Sequence, residues 1–245
     1  MNIAEKLTTV AENIPKVFEA GYNKGKSEGG GDSYYDAFWD AYQDYGSRRN
    51  YTYAFSYEGW NDKTFNPKYP IIATGNASYM FDSCQVTDFD FVEKGITFDT
   101  SGATSLTYCF RQCKGIYRIG TIDCTGCSDL NRIFYACKMP VIDNFIVHEN
   151  LTYTNTFDYA TIEDITVSGT IGKNGFKLTT STLAKKSIIS IINALSTTTS
   201  GLAITLSKTA VNNAFATSEG ASDGSTSEEW LSLIATKSNW TISLS

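Results

Sequence analysis

The chain has a single histidine, His148, in 245 residues, and no GxSxG-type serine or cysteine motif accompanies it. It therefore lacks the nucleophile and base that acyl-transfer chemistry needs. His148 falls in IVHENL, at the end of a strand pattern, and reads as a surface or loop residue. The chain also has no P-loop, no GxGxxG and no EF-hand spacing. Charge is sparse as well, with 20 Lys and Arg against 26 Asp and Glu for a net of −6. Neither Lys185 with Lys186 nor Arg48 with Arg49 makes the basic stripe that nucleic acid or an anionic membrane requires. No run approaches the ~18 to 20 apolar residues of a spanning helix. In MNIAEKLTTVAENIPKVF, Glu5 and Glu12 break the apolar residues that a secretory signal would keep continuous. These absences predict a non-enzymatic, soluble product of the cytosol with reduced thiols and no membrane insertion.

Ser, Thr, Asn, Gly, Tyr and Phe are plentiful, so the surface is neutral-polar and aromatic, and the apolar content is ample for a core. Near the N-terminus, Ile3, Leu7, Val10, Ile14 and Val17 are spaced 4, 3, 4, 3, the seam of a short coiled coil or of a docked amphipathic helix. Pro15 kinks or restarts it. The segment ends in Gly29-Gly30-Gly31, a flexible joint. Such a helix has nothing of its own to bury against, which predicts packing on copies of itself, with a trimer favoured, or on another protein, the alternative being that it folds back onto the body. Residues 33–46, SYYDAFWDAYQDYG, predict a helix with Tyr35, Phe38, Trp39 and Tyr42 on one face, read as a hydrophobic lid over the first unit of the body or, alternatively, as an aromatic platform for sugar rings.

The core of the sequence is a repeat. MFDSC, CFRQC, IFYAC and TFDYA place Phe81, Phe110, Phe134 and Phe157 at intervals of 29, 24 and 23 residues, each followed three positions later by Cys84, Cys113, Cys137 or Ala160. A strand-like stretch comes after each: VTDFDFV, IYRIGTI, MPVIDNFIV and IEDITVS. A period in the low twenties, with one strand and one helical turn per unit, is the mark of a leucine-rich-repeat solenoid, whose units bury their apolar faces only by stacking. Alternation assigns Val86, Phe89, Phe91, Ile116, Ile119, Met139, Ile142, Ile162, Ile165 and Val167 to the core. Outward positions then include Asp88, Asp90, Tyr117, Arg118, Asp143 and Asp164. On a rigid sheet such rows either recognise an extended polymer or protein, or keep the sheet soluble. The carboxylates recur at equivalent positions, which suits an exposed row better than an acid/base pair.

The F-x-x-C units resemble BspA-like leucine-rich repeats over about residues 75–170, with the consensus leucines largely replaced by Ile, Val and Phe. The order of segments, IAEKL…AENIPKVFEAGYNKGKSEGG, then FWDAYQDYG, then KSIISIINALS and SNWTISL, is similar to tail-associated proteins of phages and prophages of gut Firmicutes. That resemblance implies a virion tail protein. It would bind a host cell-surface polysaccharide or protein through the repeat body and contact other tail proteins through its N-terminal helix. A bacterial surface adhesin is the alternative, and a tail glycan hydrolase would need an inward carboxylate pair ~5 to 9.5 Å apart.

The expected fold class is α/β: an anchor at 1–32, an aromatic helix and cap at 33–74, a short solenoid of parallel strands at 75–172, and an α/β cap at 173–245. In the cap the pattern predicts a helix over 187–195, a strand over 202–206, a helix from Ser207 to Phe215, a helix opened by a Ser225/Glu228 capping box, and a strand over 240–244. Cys124 and Cys127 have knuckle spacing, with Cys109 and Cys113 one unit earlier. Aligning 97–113 with 121–137, however, sets Cys124 against Thr100 and Cys127 against Ala103, both small and uncharged. Structural cysteines, with no metal and no cofactor, are therefore expected.

Overall fold

The computed structural model describes residues 70–84, 86, 89–216 and 223–245. The seam Ile3, Leu7, Val10, Ile14 and Val17, the residue 33–46 helix and Asp88 lie outside the described residues. What is described is α/β, with parallel sheets and few helices. β1 (Ile71–Asn76) pairs with β3 (Phe98–Ser105). β2 (Phe89–Asp90), β4 (Ile116–Asp123), β5 (Val141–Val147) and β6 (Asp164–Gly169) form a second sheet in that order. β7 (Lys177–Leu178), β8 (Leu202–Leu206) and β9 (Trp240–Leu244) form a third. Every pairing is parallel.

The repeat phase read from the phenylalanines is the phase of the packing. Phe81, Phe110, Phe134 and Phe157 stack in line, with centroids 5.3, 5.7 and 5.5 Å apart and planes within 8° of parallel. Every residue assigned to the core by alternation is buried, and Cys84, Cys113 and Cys137 are buried beside the rings. Between Phe81 and Phe110, part of the extra length is taken up by a turn closed by Gly95, at φ 65°, flanked by Phe91 and Phe98, which both pack on Phe81.

The helical turn expected around each Phe is not what forms. In each unit, residues two before and two after the Phe adopt left-handed backbone: Tyr79 and Ser83, Tyr108 and Gln112, Arg132 and Ala136, Asn155 and Tyr159. A non-glycine residue there costs roughly 1 kcal/mol. The conformation splits the segment into two successive tight turns, seen in Tyr135 N–H to Arg132 O and Cys137 N–H to Phe134 O. It also aims alternate N–H groups at the next unit, as in Arg132 to Thr154 O, Phe134 to Thr156 O and Ala136 to Asp158 O. A continued helix would direct those donors along its own axis and leave the units unjoined.

The last strand of the second sheet has a covered edge. α1 (Lys185–Ala194) lies on β6, where Ser187 Oγ accepts from Ile165 N–H at 2.9 Å and Ser190 Oγ from Val167 N–H at 2.8 Å. Helix serines thus take the place of a further strand and close an edge that otherwise invites pairing. Lys237 Nζ caps the other end of α1 by donating to Asn193 O and Leu195 O at 3.0 and 2.6 Å. α2 (Lys208–Phe215) is capped by Ser207, as its sequence predicts. The cap of α3 (Glu228–Ala235) is Ser227, whose side chain accepts from Trp230 N–H. Ser225, the expected cap, sits instead in a 3₁₀ turn, where its N–H donates to Asp223 and Asn212. Among the described residues no helix is long and apolar enough to cross a membrane.

Candidate functional site

Of the six outward residues named from the sequence, five are described, and parallel register brings them together. Asp90 pairs with Arg118, Arg118 with Val141, and Val141 with Asp164. The result is not a free acidic row. Asp90 caps its own turn, accepting from Val92 and Glu93 N–H at 2.8 and 2.9 Å. Arg118 reaches sideways to Asp143, with Nε 2.9 Å from Oδ1. The Asp143 hydrogen bond, with Asp90 and Asp164 nearby, holds the exposed guanidinium above its ordinary value. Asp164 is held by Lys186 at 2.5 Å and by Ser187 Oγ at 3.1 Å. Tyr117, the neighbour of Arg118 on β4, is 51% exposed. The strand face therefore carries alternating charge, with its carboxylates engaged locally.

The cysteine turn is equally explicit. All six thiols are free and buried. The predicted register holds: Cys127 Sγ donates to Ala103 O at 3.6 Å, and Thr100 Oγ1 exchanges hydrogen bonds with the Asp123 backbone at 2.7 and 2.9 Å. Burial pushes Cys127 up to about 11 and raises Cys109, Cys124 and Cys137 further. A metal ligand or redox thiol needs the thiolate, and this environment disfavours it. Among the described residues no three His, Cys, Asp or Glu side chains group to hold a metal ion.

Between the two cysteines, a Cβ added at Gly126 would lie 2.4 Å from the Ala103 carbonyl oxygen. Gly126→Ala is expected to destabilise the fold by about 1 to 3 kcal/mol, the range for overpacking against atoms that cannot yield; urea denaturation checks it. His148 lies in the turn after β5. Its Nδ1 accepts from Asn150 N–H at 3.3 Å, so Nε2 carries the proton and donates to Cys127 O at 2.7 Å. It ties two units together, and no nucleophile joins it among the described residues.

The turn face was missed by sequence reasoning. Tyr79 and Tyr108 stack at 4.8 Å and 13°, Arg111 lies over both rings, and Arg132 lies between Tyr108 and Tyr135 at 5.7 and 5.6 Å. Tyr135 meets Tyr159 edge-on at 5.5 Å, and Tyr159 is 80% exposed. The signal is present in the sequence, since these residues flank each Phe at offsets of −2, +1 and +2, but it carries no apolar alternation to mark it. A groove of about 570 Å³ opens where this face meets the third sheet, between Thr154, Asn155 and Asp158 on one wall and Asn174, Lys177 and Thr205 on the other. Comparison with family models, with curated proteins and with solved structures returned no match for the chain.

Proposed function

We propose that the chain is a tail-associated host-recognition protein of a phage or prophage, in which a leucine-rich-repeat solenoid binds a bacterial surface polymer or protein. The observation that carries this reading is the lateral stack. Identical positions repeat at 29, 24 and 23 residues and are joined by a Phe ladder on one side and parallel strands on the other. A surface repeated at strand spacing suits a ligand that is itself extended and repetitive. The local engagement of Asp90, Asp143 and Asp164 supports a binding role over hydrolysis, because none is left as an acid/base partner to another.

In this reading the N-terminal seam trimerises or docks on other tail proteins, and the body faces the cell. Immunogold labelling of purified particles is expected to decorate the tail, and fluorescently labelled full chain is expected to coat cells of the host. Light scattering on the full chain and on a version starting at Ser33 tests the anchor: a trimer that becomes a monomer supports it, and two monomers refute it. Labelling confined to the envelope of uninfected bacteria would favour the adhesin.

A further inference from the structure

We propose that the turn face carries a subsite for an anionic sugar, in which the Arg132 guanidinium takes the oxyanion and the exposed Tyr159 ring takes the sugar face. The subsite rests on the polymer-recognition reading above and assigns it a face and a ligand chemistry.

Two cations stand on this face, and they differ in one respect. Arg111 is satisfied: its Nε and Nη2 grip the fully buried Asp82 carboxylate at 2.7 and 2.6 Å. Arg132 has no carboxylate among the described residues. The ion pairs of those residues pass it by, and its one side-chain hydrogen bond there runs from Nη1 to Tyr108 Oη at 2.6 Å. Its Nε is buried with no partner. A guanidinium in this state has given up part of its hydration without receiving a counter-charge, so an arriving oxyanion meets a cation that is already partly desolvated. The two flanking rings fix the plane of the fork, which lowers the entropy lost on engagement.

The ring component lies one contact further along. Tyr135 touches both Arg132 and Tyr159, which places Tyr159 within a disaccharide's reach of the guanidinium. An 80% exposed tyrosine on a left-handed turn, where its backbone is held at φ 60°, presents its ring to solvent. The apolar face of a sugar covers such a ring while its hydroxyls stay in water. The nearby Asp158 does not repel an anion outright, since Lys177 Nζ stands 3.8 Å from it. The strand face, with its engaged carboxylates, offers no comparable unpaired cation among the described residues.

The test is calorimetric titration of the full chain with hexagalacturonate, a carboxylate-bearing sugar chain, and with maltohexaose as the neutral control. Binding of hexagalacturonate alone is expected, weakening with added salt. Tyr159→Ala, which removes an exposed ring and leaves the core intact, is expected to weaken it at least tenfold. Arg132→Gln is expected to weaken it likewise, and Arg132→Lys to recover only part, because lysine keeps the charge and loses the fork. Equal binding of maltohexaose, no binding of hexagalacturonate, or unchanged binding by Tyr159→Ala would each overturn the subsite. Retention of the wild-type chain on host wall polymers, measured separately, distinguishes the two ideas. If Tyr159→Ala and Arg132→Gln are retained as well as wild type, the subsite fails and recognition stands. If wild type is not retained, recognition itself fails.

Discussion

Phe134→Ala is expected to destabilise the folded chain by about 3 to 5 kcal/mol, the range for deleting a buried ring and leaving its cavity. Phe134 is an interior rung of the ladder. It is fully buried, stacked at 5.7 Å on Phe110 and at 5.5 Å on Phe157, and met edge-on by Phe145 at 5.9 Å. The hole cannot collapse easily, because the backbone on both sides is pinned by Phe110 N–H to Ile133 O and Phe134 N–H to Thr156 O. For a chain of this length the loss corresponds to a fall in Tm of roughly 10 °C. Phe134→Leu, which refills most of the volume, is expected to lose less than half as much. Tyr117→Ala, at an exposed strand position, is expected to stay within about 0.5 kcal/mol. Thermal melts of the three variants check the order. A Phe134→Ala variant as stable as Tyr117→Ala would mean that the ladder does not hold the units together.

A second large effect is expected in alkali. Burial raises the pKa of Cys109, Cys124, Cys127 and Cys137 above the ordinary thiol value of 9.0, while the hydrogen bond between Cys84 and Cys113 lowers the first and raises the second. Above pH 9 the unfolded chain releases thiol protons that the folded chain keeps, so the folded state binds more protons and stability falls as pH rises. For the four thiols raised by burial the stabilisation is complete below pH 9 and is lost towards and beyond the folded values, of which Cys127 at about 11 is the lowest.

Each thiol that ionises only on unfolding contributes about 1.4 kcal/mol per pH unit to the slope. Four such groups would exhaust a marginal stability of about 5 to 15 kcal/mol within one to three units. Tm is therefore expected to fall steeply from pH 9 upward, and to fall less steeply in Cys124→Ala. A flat profile between pH 8.5 and 10.5 would show that these thiols are accessible in the native state.

The phase of the repeat was legible because one residue type, Phe, recurs at the position where unit stacks on unit, and a stacked ring tolerates few substitutes. The cysteine turn was legible for the same reason, since Thr100 and Cys124, or Ala103 and Cys127, must be small to sit where backbone meets backbone. β1 and β3 were not legible. IIATGN and FDTSGATS are rich in Gly, Ser and Thr and lack clean alternation. Their pairing, Ile71 with Phe98 and Gly75 with Ala103, is imposed by neighbouring units and interrupted by register shifts.

The left-handed turn residues were hidden because none of the eight is glycine, so the usual marker of positive φ was absent. On the strand face, the sequence showed which carboxylates point outward and could not show what holds them. Arg118 finds Asp143 across a strand boundary, and Asp164 finds Lys186 on a helix 22 residues further along the chain. An outward acid is therefore a weak pointer to a binding site until its neighbours are known. The unpaired cation of the turn face, Arg132, is the stronger one.

Recognition of a bacterial surface polymer without chemistry upon it is the central claim, and one measurement tests it most directly. The full chain is incubated with immobilised wall polymers from a panel of gut Firmicutes, and both protein retention and the release of reducing ends are followed. Saturable retention on one class of polymer, with no reducing ends released, is the expected result. Retention on none, or release of reducing ends at a rate that scales with protein concentration, would contradict it.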